Sequence, residues 1–252
     1  MINSTIKNKL LRALKLIVPT VFWLIVYEVM ALLIGNSYFF PRLSLVLEAL
    51  FSILATKTFF SVCAMTLLRV LTALLLGILI GIALGLISAR FSIIYSTLNP
   101  FMSAVKATPV ASLIIVLWIM LSGDALSIII ALFMVMPMIW QSTYNSFDTV
   151  DKGLLEVADV FELSIKYRFA TLYLPNLKKY LIPSVITSVG LAWKSEIATE
   201  IIAYTRNSIG QLINDGKYNL DTPAVFAWTL IVVVFSILFE AITKMLLRRI
   251  KI

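Results

Sequence analysis

The sequence predicts an all-α, polytopic membrane protein with about six transmembrane helices. Of its 252 residues, 61% are hydrophobic and only 13% are charged, and the mean hydropathy is +1.00. Apolar runs of about 20 residues are long enough to cross the hydrocarbon core of a bilayer as helices. We place six such runs, at residues 16–34, 60–89, 93–121, 126–144, 180–204 and 224–247. None of them alternates apolar and polar residues as a membrane-spanning β-strand would.

The distribution of basic residues predicts that both termini lie in the cytoplasm. With the N-terminus inside, the inner set is Lys7, Lys9, Arg12, Lys15, Arg90, Lys152, Lys166, Arg168, Lys178, Lys179, Lys244, Arg248, Arg249 and Lys251. The outer set is Arg42, Lys57, Arg206 and Lys217. This asymmetry satisfies the positive-inside rule. The net charge of +8 is therefore a signal of topology, and we expect no nucleic-acid partner.

The first apolar run is expected to remain as a membrane anchor. It is longer than the apolar core of a signal peptide, and no small-x-small cleavage site follows it. In residues 37–58, apolar side chains recur every three to four positions. This spacing predicts an amphipathic helix that lies along the outer membrane interface or packs on the outer surface of the protein itself.

The second span carries a stripe of small residues. Ala73, Gly77, Gly81 and Gly85 follow Arg69 at intervals of four and therefore share one helix face. Such a stripe predicts close approach by another helix. A charge at membrane depth faces protein or water, so Arg69 is expected either to form a structural ion pair or carbonyl contact or to line a translocation pathway.

The third span is predicted to be interrupted by proline. Asn99-Pro100 and Thr108-Pro109 bracket Lys106, and each proline removes a backbone hydrogen bond. Broken backbone at membrane depth is either buried in protein or lines a cavity, and transporters use such breaks near their substrate path. Lys106 and Pro109 are therefore pathway candidates, and a plain proline kink is the alternative.

Residues 150–175 form the longest charged stretch between apolar spans. The charged side chains that define it are Glu156, Asp159, Glu162, Lys166 and Arg168. Apolar residues recur among them, which predicts one or two short amphipathic helices outside the lipid, on the cytoplasmic side. Pro175 is expected to end this unit because proline cannot donate the next helical hydrogen bond. We expect a soluble partner to bind this segment.

The fifth span contains three ionisable residues. Glu196 and Glu200 are four residues apart and share a face, whereas Lys194 points about 200° away from Glu196. Ionisable side chains inside a membrane are functional candidates, so we assign all three to the pathway. In the last span, Glu240 and Lys244 have the spacing of a local structural pair.

Composition argues against an enzyme. The chain has no histidine and a single cysteine, Cys63, in a predicted span. A disulfide framework, a thiolate metal site and the commonest general base are therefore excluded, and we predict no catalytic or metal-binding residues. The chain also lacks the G-x-x-x-x-G-K-[ST] loop that cradles nucleotide phosphates.

The stretch EVADVFELSIKYRFATLYLP resembles the EAA motif of permease subunits in ATP-binding-cassette importers. Glu156 and Ala158 match its acidic and second alanine positions, and Leu172, Leu174 and Pro175 match its end. Glu162 stands where that family normally has glycine. The resemblance runs from about residue 60 to the C-terminus. Similarity to the nitrate/sulfonate/taurine-type branch rests on Arg69 and the glycines behind it, Asn99-Pro100, Lys106 to Pro109, Trp118, Gly123, the sequence AWKSE around Lys194, and Ile209-Gly210.

The resemblance implies a MetI-like permease fold, with residues 1–252 as one transmembrane domain, 60–247 as its core and 150–175 as a cytoplasmic coupling loop. It implies that two copies form the pathway, in a bacterial plasma (inner) membrane. Two cytoplasmic ATP-binding subunits would each grip one coupling helix, and an external binding protein would deliver the solute. ATP and Mg would bind the partner ATPase and not this chain. The residues so assigned to the ATPase contact are Glu156, Ala158, Asp159, Glu162, Leu172 and Pro175.

Other hypotheses remain open at this point. An ion-coupled secondary transporter would use Glu196 and Glu200 as carriers, but such folds usually show two similar halves and we see no internal repeat. An intramembrane enzyme lacks a nucleophile–base or metal constellation. For the cargo, Arg69, Lys106 and Lys194 favour a small anion such as a sulfonate, nitrate or bicarbonate. The two glutamates favour a cationic or neutral heterocycle, such as a pyrimidine vitamin precursor.

Overall fold

The computed structural model describes residues 4–248, and all structural statements below concern that part of the chain. Its α-helices are α1 (Ser4–Ile34), α2 (Leu43–Leu54), α3 (Lys57–Arg90), α4 (Ser92–Ala107), α5 (Val110–Trp118), α6 (Gly123–Asp148), α7 (Lys152–Val160), α8 (Ile165–Arg168), α9 (Leu174–Ile202), α10 (Ile209–Tyr218) and α11 (Thr222–Arg248). A π-helical turn, Phe169–Tyr173, joins α8 to α9. The described residues contain no strand, which confirms the all-α prediction. Arg249 and Lys251, which entered the topology prediction, lie outside the described residues.

Within residues 4–248, four helical segments are long and apolar enough to cross a membrane. They are Ile17–Ile34, Lys57–Arg90, Gly123–Asp148 and Thr222–Leu247. Helices α4 and α5 qualify together as a fifth span, although they are bent by 103° relative to each other. The remaining predicted span, 180–204, lies mostly in α9, which has 29 residues but is not apolar enough to qualify. Length and composition therefore support four or five of the six predicted spans.

The interruption of the third span lies at one of the two prolines. Helix α4 continues through Pro100 and ends at Ala107, and α5 begins directly after Pro109. The prediction of a break at Asn99-Pro100 is wrong, because this helix tolerates the loss of one backbone hydrogen bond. Thr108 is extended, with φ −75° and ψ 129°, as expected of a residue before proline. The sharp bend follows from this extended residue.

The chain divides into two compact units, which we describe separately. The first contains Met1–Phe59 and Ile213–Leu230. In this unit Glu28 of α1 accepts a hydrogen bond from the Leu43 amide at 3.0 Å, so its carboxylate caps α2 in place of a side chain of α2 itself. The Tyr27 hydroxyl donates to the Pro41 carbonyl at 2.8 Å. These contacts hold α2, the predicted amphipathic helix, against α1.

The second unit contains Phe60–Leu212 and Ile231–Ile252, and α6 lies at its core. Its fully buried side chains include Leu126, Ile130, Val135, Ile139 and Trp140. The indole N–H of Trp140 donates to the Ser88 hydroxyl of α3 at 2.9 Å, so this buried polar group has a partner. Because α6 is buried on several faces, the other helices of this unit are arranged around it.

The small-residue stripe of α3 lies directly against α6. A β-carbon added to Gly77 or Gly81 would come within 2.8 Å of the Val135 or Ile139 side chain, and one on Gly85 within 2.5 Å of Thr143. These separations are shorter than real carbon–carbon contacts. Ala73, at the head of the stripe, is fully buried. The two helices therefore approach closely only because α3 has no side chain at these three positions.

Candidate functional site

The segment predicted to be a coupling loop consists of two short helices, α7 and α8, joined by a tight turn. Asp151 caps the N-terminus of α7, because its carboxylate accepts from the Gly153 amide at 2.8 Å. Ala158 is buried, at 1% exposure, whereas Glu156 and Asp159 are exposed. Helix α7 therefore has one face packed on the protein and one charged face open to solvent, as its amphipathic pattern predicts.

Glu162 occupies the position that reverses the chain between the two helices. Its φ is +49°, in the left-handed region that favours glycine. The Glu162 amide donates to the Asp159 carbonyl and the Leu163 amide donates to the Ala158 carbonyl, each at 3.0 Å. These two bonds form a Schellman motif, in which glycine is the usual residue at the left-handed position. Glu162 is therefore a strained residue in a conformation that glycine would adopt without steric cost.

Large apolar side chains project into solvent from this segment. Their exposed fractions are 50% for Val157, 80% for Val160, 71% for Phe161 and 86% for Ile165. Charged residues on the same two helices flank them. A contiguous apolar surface of this kind, rimmed by charge and outside the apolar spans, is typical of a protein–protein contact.

The end of the motif joins the coupling segment to α9. Pro175 lies in the first turn of α9 and does not end the helical unit, so that prediction is wrong. Helix α8 passes into the π-helical turn, where the Leu174 amide reaches the Phe169 carbonyl five residues back. The wider turn provides this bond just before a proline that has no amide hydrogen. Leu172 and Pro175 line a cleft of about 370 Å³ shared with Leu154 of α7.

Arg69 lies at the centre of a buried polar cluster at the end of α3 opposite Arg90. Its guanidinium is 3% exposed and pairs with Asp124 at 2.8 Å and with Glu200 at 3.0 Å. It also donates to the backbone carbonyls of Arg206 at 3.1 Å and Asn207 at 3.4 Å. Together these acceptors occupy the N–H donors of the planar guanidinium group. Arg69 therefore joins α3, α6, α9 and the loop that follows α9.

Glu200 is held by three donors within the same cluster. Thr66 donates to its carboxylate at 2.8 Å, the Gly210 amide donates at 3.1 Å, and Arg69 supplies a charged partner. A β-carbon on Gly210 would lie 2.3 Å from that of Glu200, so α10 can begin this close to α9 only with glycine there. Glu200 is fully buried. Its contacts are those of a structural tie between helices.

Glu196 differs from Glu200 in having no well-formed hydrogen bond, although the Ser127 hydroxyl of α6 lies near its carboxylate. It is fully buried, and neither carboxylate oxygen has a hydrogen-bond partner among residues 4–248. It lies one turn before Glu200 on α9. Burying a carboxylate without partners is costly, so this side chain is the least satisfied polar group of the candidate site.

The three remaining pathway candidates lie on the surface of the described chain. Lys106, near the end of α4, and Pro109, at the bend before α5, are exposed. Lys194 is also exposed and is close enough to attract the Glu240 carboxylate of α11, which itself pairs with Lys244. The structure therefore brings Arg69 and Glu200 together but leaves Lys106 and Lys194 apart from them.

Sequence reasoning missed the partners in both parts of the site. Neither Asp124 nor Thr66 was singled out from the sequence, although Asp124 pairs with Arg69 and Thr66 donates to Glu200. Arg168 was read as a topology marker, but it pairs with Asp159. Asp124 and Glu200 are 55 and 131 residues from Arg69 in sequence, so no local spacing could have indicated these contacts.

Comparison with known proteins defines the class and then the family. A solved structure described as the MetNI methionine ABC transporter in inward facing conformations matches with a TM-score of 0.62 and 14% identity, over 75% of this chain and 94% of that chain. At this identity the likeness shows the fold, which is that of a MetI-like permease. No curated protein sequence matches the chain. The apolar helices and this fold define a multi-pass membrane protein.

Residues 77–252 match the family described as binding-protein-dependent transport system inner membrane component. This match covers well over half of the chain, which therefore belongs to that family of ABC importer permeases. The chain is thus a transporter permease subunit and not itself an enzyme.

Proposed function

We propose that this chain forms the translocation pathway of an ATP-driven, binding-protein-dependent importer for a small solute, and that α7 and α8 are its contact with the ATPase. The observation that supports this most is the apolar surface of Val157, Val160, Phe161 and Ile165, which is exposed on a segment outside the apolar spans. This surface lies within the stretch that resembles the EAA motif. Glu156 and Asp159 are exposed beside it and are available to pair with basic residues of a partner.

The assembly that we propose contains two copies of this chain, two cytoplasmic ATP-binding subunits and an external substrate-binding protein. ATP and Mg bind the ATP-binding subunits, since this sequence has no phosphate-binding loop. The chain lies in the bacterial plasma membrane with both termini in the cytoplasm, which the asymmetry of lysine and arginine supports. Surrounding lipid covers the exposed apolar side chains of the spans.

The proposed cargo is a small organic or inorganic anion of the sulfonate, nitrate or bicarbonate type. Arg69 does not support this choice, because two carboxylates neutralise its charge. Lys106 and Lys194 do support it, since both are exposed and neither forms an ion pair with a residue in the described range. The unpartnered Glu196 favours the alternative cargo, a cationic or neutral heterocycle such as a pyrimidine vitamin precursor.

Ion-coupled secondary transport is the remaining alternative. It requires carboxylates that bind and release an ion, and Glu200 is already held by Arg69, Thr66 and the Gly210 amide. Of these two carboxylates, Glu196 is the one that accepts no hydrogen bond from the described residues.

A pull-down from the native membrane in mild detergent, followed by mass spectrometry, tests the proposal. We expect an ATP-binding subunit and a substrate-binding protein in the eluate. The binding protein is then screened against the anions and the heterocycle to identify the cargo. Recovery of the permease alone, still active in vesicles without ATP, would refute the importer assignment and favour Glu196 as an ion carrier.

A further inference from the structure

Arg168 contacts both sides of the turn between α7 and α8. Its Nη2 donates to the Ala158 carbonyl at 3.0 Å, and its Nε donates to the Leu163 carbonyl at 2.8 Å. Its Nη1 also pairs with the Asp159 carboxylate. Ala158 and Asp159 belong to the last turns of α7, and Leu163 lies just before α8. One planar guanidinium therefore binds both the end of α7 and the chain just before α8.

These contacts lie at the point where the turn is strained. The Ala158 carbonyl that Arg168 binds is the same one that accepts the Leu163 amide in the Schellman motif. Glu162, in the left-handed conformation of that motif, has a β-carbon that disfavours this conformation. Glycine would adopt it without cost. The charged hydrogen bonds of Arg168 are thus placed to offset the cost of glutamate at this position.

Arg168 also connects the turn to α9. It is the last residue of α8, and the π-helical turn that follows leads into α9 without a break. At the start of α9, the Asn176 side chain donates to the Ser146 carbonyl of α6 at 2.6 Å, and Tyr173 stacks on Phe147 at 5.2 Å. At the other end of α9, Glu200 is tied to Arg69. One chain of contacts from α7 to the buried cluster therefore passes through Arg168.

We propose that Arg168 is a positioning residue that locks α7 to α8, so that movement of α7 reaches α9 as a rigid-body displacement. This inference rests on the proposed function, in which a partner ATPase moves α7. Without the guanidinium, the turn at Glu162 would relax toward unstrained conformations, and α7 would move without displacing α9.

The first measurement uses the permease alone. In a Cys63→Ser background, spin labels are attached at Glu156→Cys in α7 and Lys179→Cys in α9, and their distance distribution is measured by electron paramagnetic resonance. We expect Arg168→Ala to broaden the distribution and Glu162→Gly to narrow it again in the double variant. Lys166→Ala, a change at a neighbouring exposed cation of α8, is the matched control and should leave the distribution unchanged.

The second measurement uses the complex reconstituted with the ATP-binding subunit and the binding protein obtained by pull-down. We expect Arg168→Ala to lower the amount of solute moved per ATP hydrolysed by about tenfold or more, because one hydrogen bond to a charged group contributes about a factor of ten or more. The amount of ATPase bound should stay unchanged, because the apolar contact surface is intact. Glu162→Gly should restore most of the ratio. If Arg168→Ala lowered the ratio only because the permease is unstable, Glu162→Gly would not restore it.

Two results would overturn the inference. One is an unchanged distance distribution in Arg168→Ala, and the other is a broadened distribution with an unchanged ratio of transport to hydrolysis. If Arg168→Ala does not accumulate, Arg168→Lys replaces it, since lysine keeps the charge but cannot bind both carbonyls. Arg168→Lys should then show an intermediate loss of solute moved per ATP hydrolysed. A wild-type value of this ratio would refute the role of Arg168 in locking α7 to α8. If no ATPase partner is found, the proposed function is refuted. The spin-label measurement still tests whether Arg168 holds α7 against α8.

Discussion

Arg69 was assigned two roles from sequence, a structural contact or a position on the pathway. In the structure its guanidinium is almost fully buried and every acceptor around it belongs to the chain itself. A buried ion pair is weak evidence for stability by itself, but removal of one partner leaves the other charge buried and unpaired. The contacts of Arg69 are those expected of a structural centre.

We therefore predict that Arg69→Met destabilises the permease by about 3–5 kcal/mol, because Glu200 keeps its charge in a buried position. The check is the thermal unfolding of the purified protein in detergent. Lys244→Met breaks the exposed pair with Glu240 and serves as the control, with little expected change. Similar unfolding temperatures for the two variants would contradict a structural role for Arg69.

The glycines of α3 allow a second test at single residues. Gly85→Ala places a methyl group 2.5 Å from the Thr143 β-carbon and 2.9 Å from the Trp140 carbonyl. Such overpacking costs about 1–3 kcal/mol, so we expect a lower unfolding temperature and separation of α3 from α6.

Gly190→Ala is the matched control for this change. Gly190 also lies within a helix, α9, but a β-carbon there would meet no atom within 4 Å. Alanine has a higher helix propensity than glycine by about 1 kcal/mol, so this variant should be as stable as the wild type or slightly more stable. A destabilised Gly190→Ala with an unaffected Gly85→Ala would refute the packing of α3 on α6.

At the scale of elements, prolines have three different effects in this chain. Pro100 lies inside α4, Pro109 separates α4 from α5, and Pro175 lies in the first turn of α9. Proline, which has no amide hydrogen, is thus tolerated inside α4, separates α4 from α5, and lies at the beginning of α9. Which effect occurs depends on whether neighbouring backbone groups find other partners, as the π-helical turn provides before Pro175.

The turn between α7 and α8 gives the prediction at this scale. Glu162→Gly should be tolerated, with transport retained and the turn stabilised by about 1 kcal/mol, because glycine adopts a positive φ without steric cost. Hydrogen exchange of the α7 amides should slow. Severe loss of assembly in this variant would show that Glu162 does not correspond to the glycine of the family motif.

At the scale of the whole molecule, the chain belongs to a family of inner membrane components of binding-protein-dependent transport systems. The Glu156 side chain is exposed on α7 beside the apolar surface. Its charge is therefore free for a partner, and its replacement should not disturb the fold of the permease.

We predict that Glu156→Lys abolishes transport by breaking the contact with the ATPase, while the permease still folds and inserts. Co-purification of the ATPase and solute uptake are measured on the same membranes. Glu48→Lys, the same charge change at an exposed position of α2, is the control and should retain both. Normal ATPase binding by the Glu156 variant would count against the assignment of the coupling segment.

The sequence by itself determined the helical class, four or five of the apolar spans, the amphipathic helices α2 and α7, and the stripe of small residues on α3. These features follow from rules that act within one or two helical turns, namely the 3.6-residue period, the length of apolar runs and the absence of a side chain in glycine. The resemblance of residues 156–175 to a coupling motif could be seen for the same reason, since these residues are adjacent in the chain.

The tertiary structure alone decided which charges meet. It paired Arg69 with Asp124 and Glu200, left Glu196 without a partner among the described residues, and placed Arg168 across the turn at Glu162. It also decided which prolines interrupt a helix. Contacts between residues as far as 131 positions apart depend on how helices pack, and packing is a property of the folded chain that no local pattern contains.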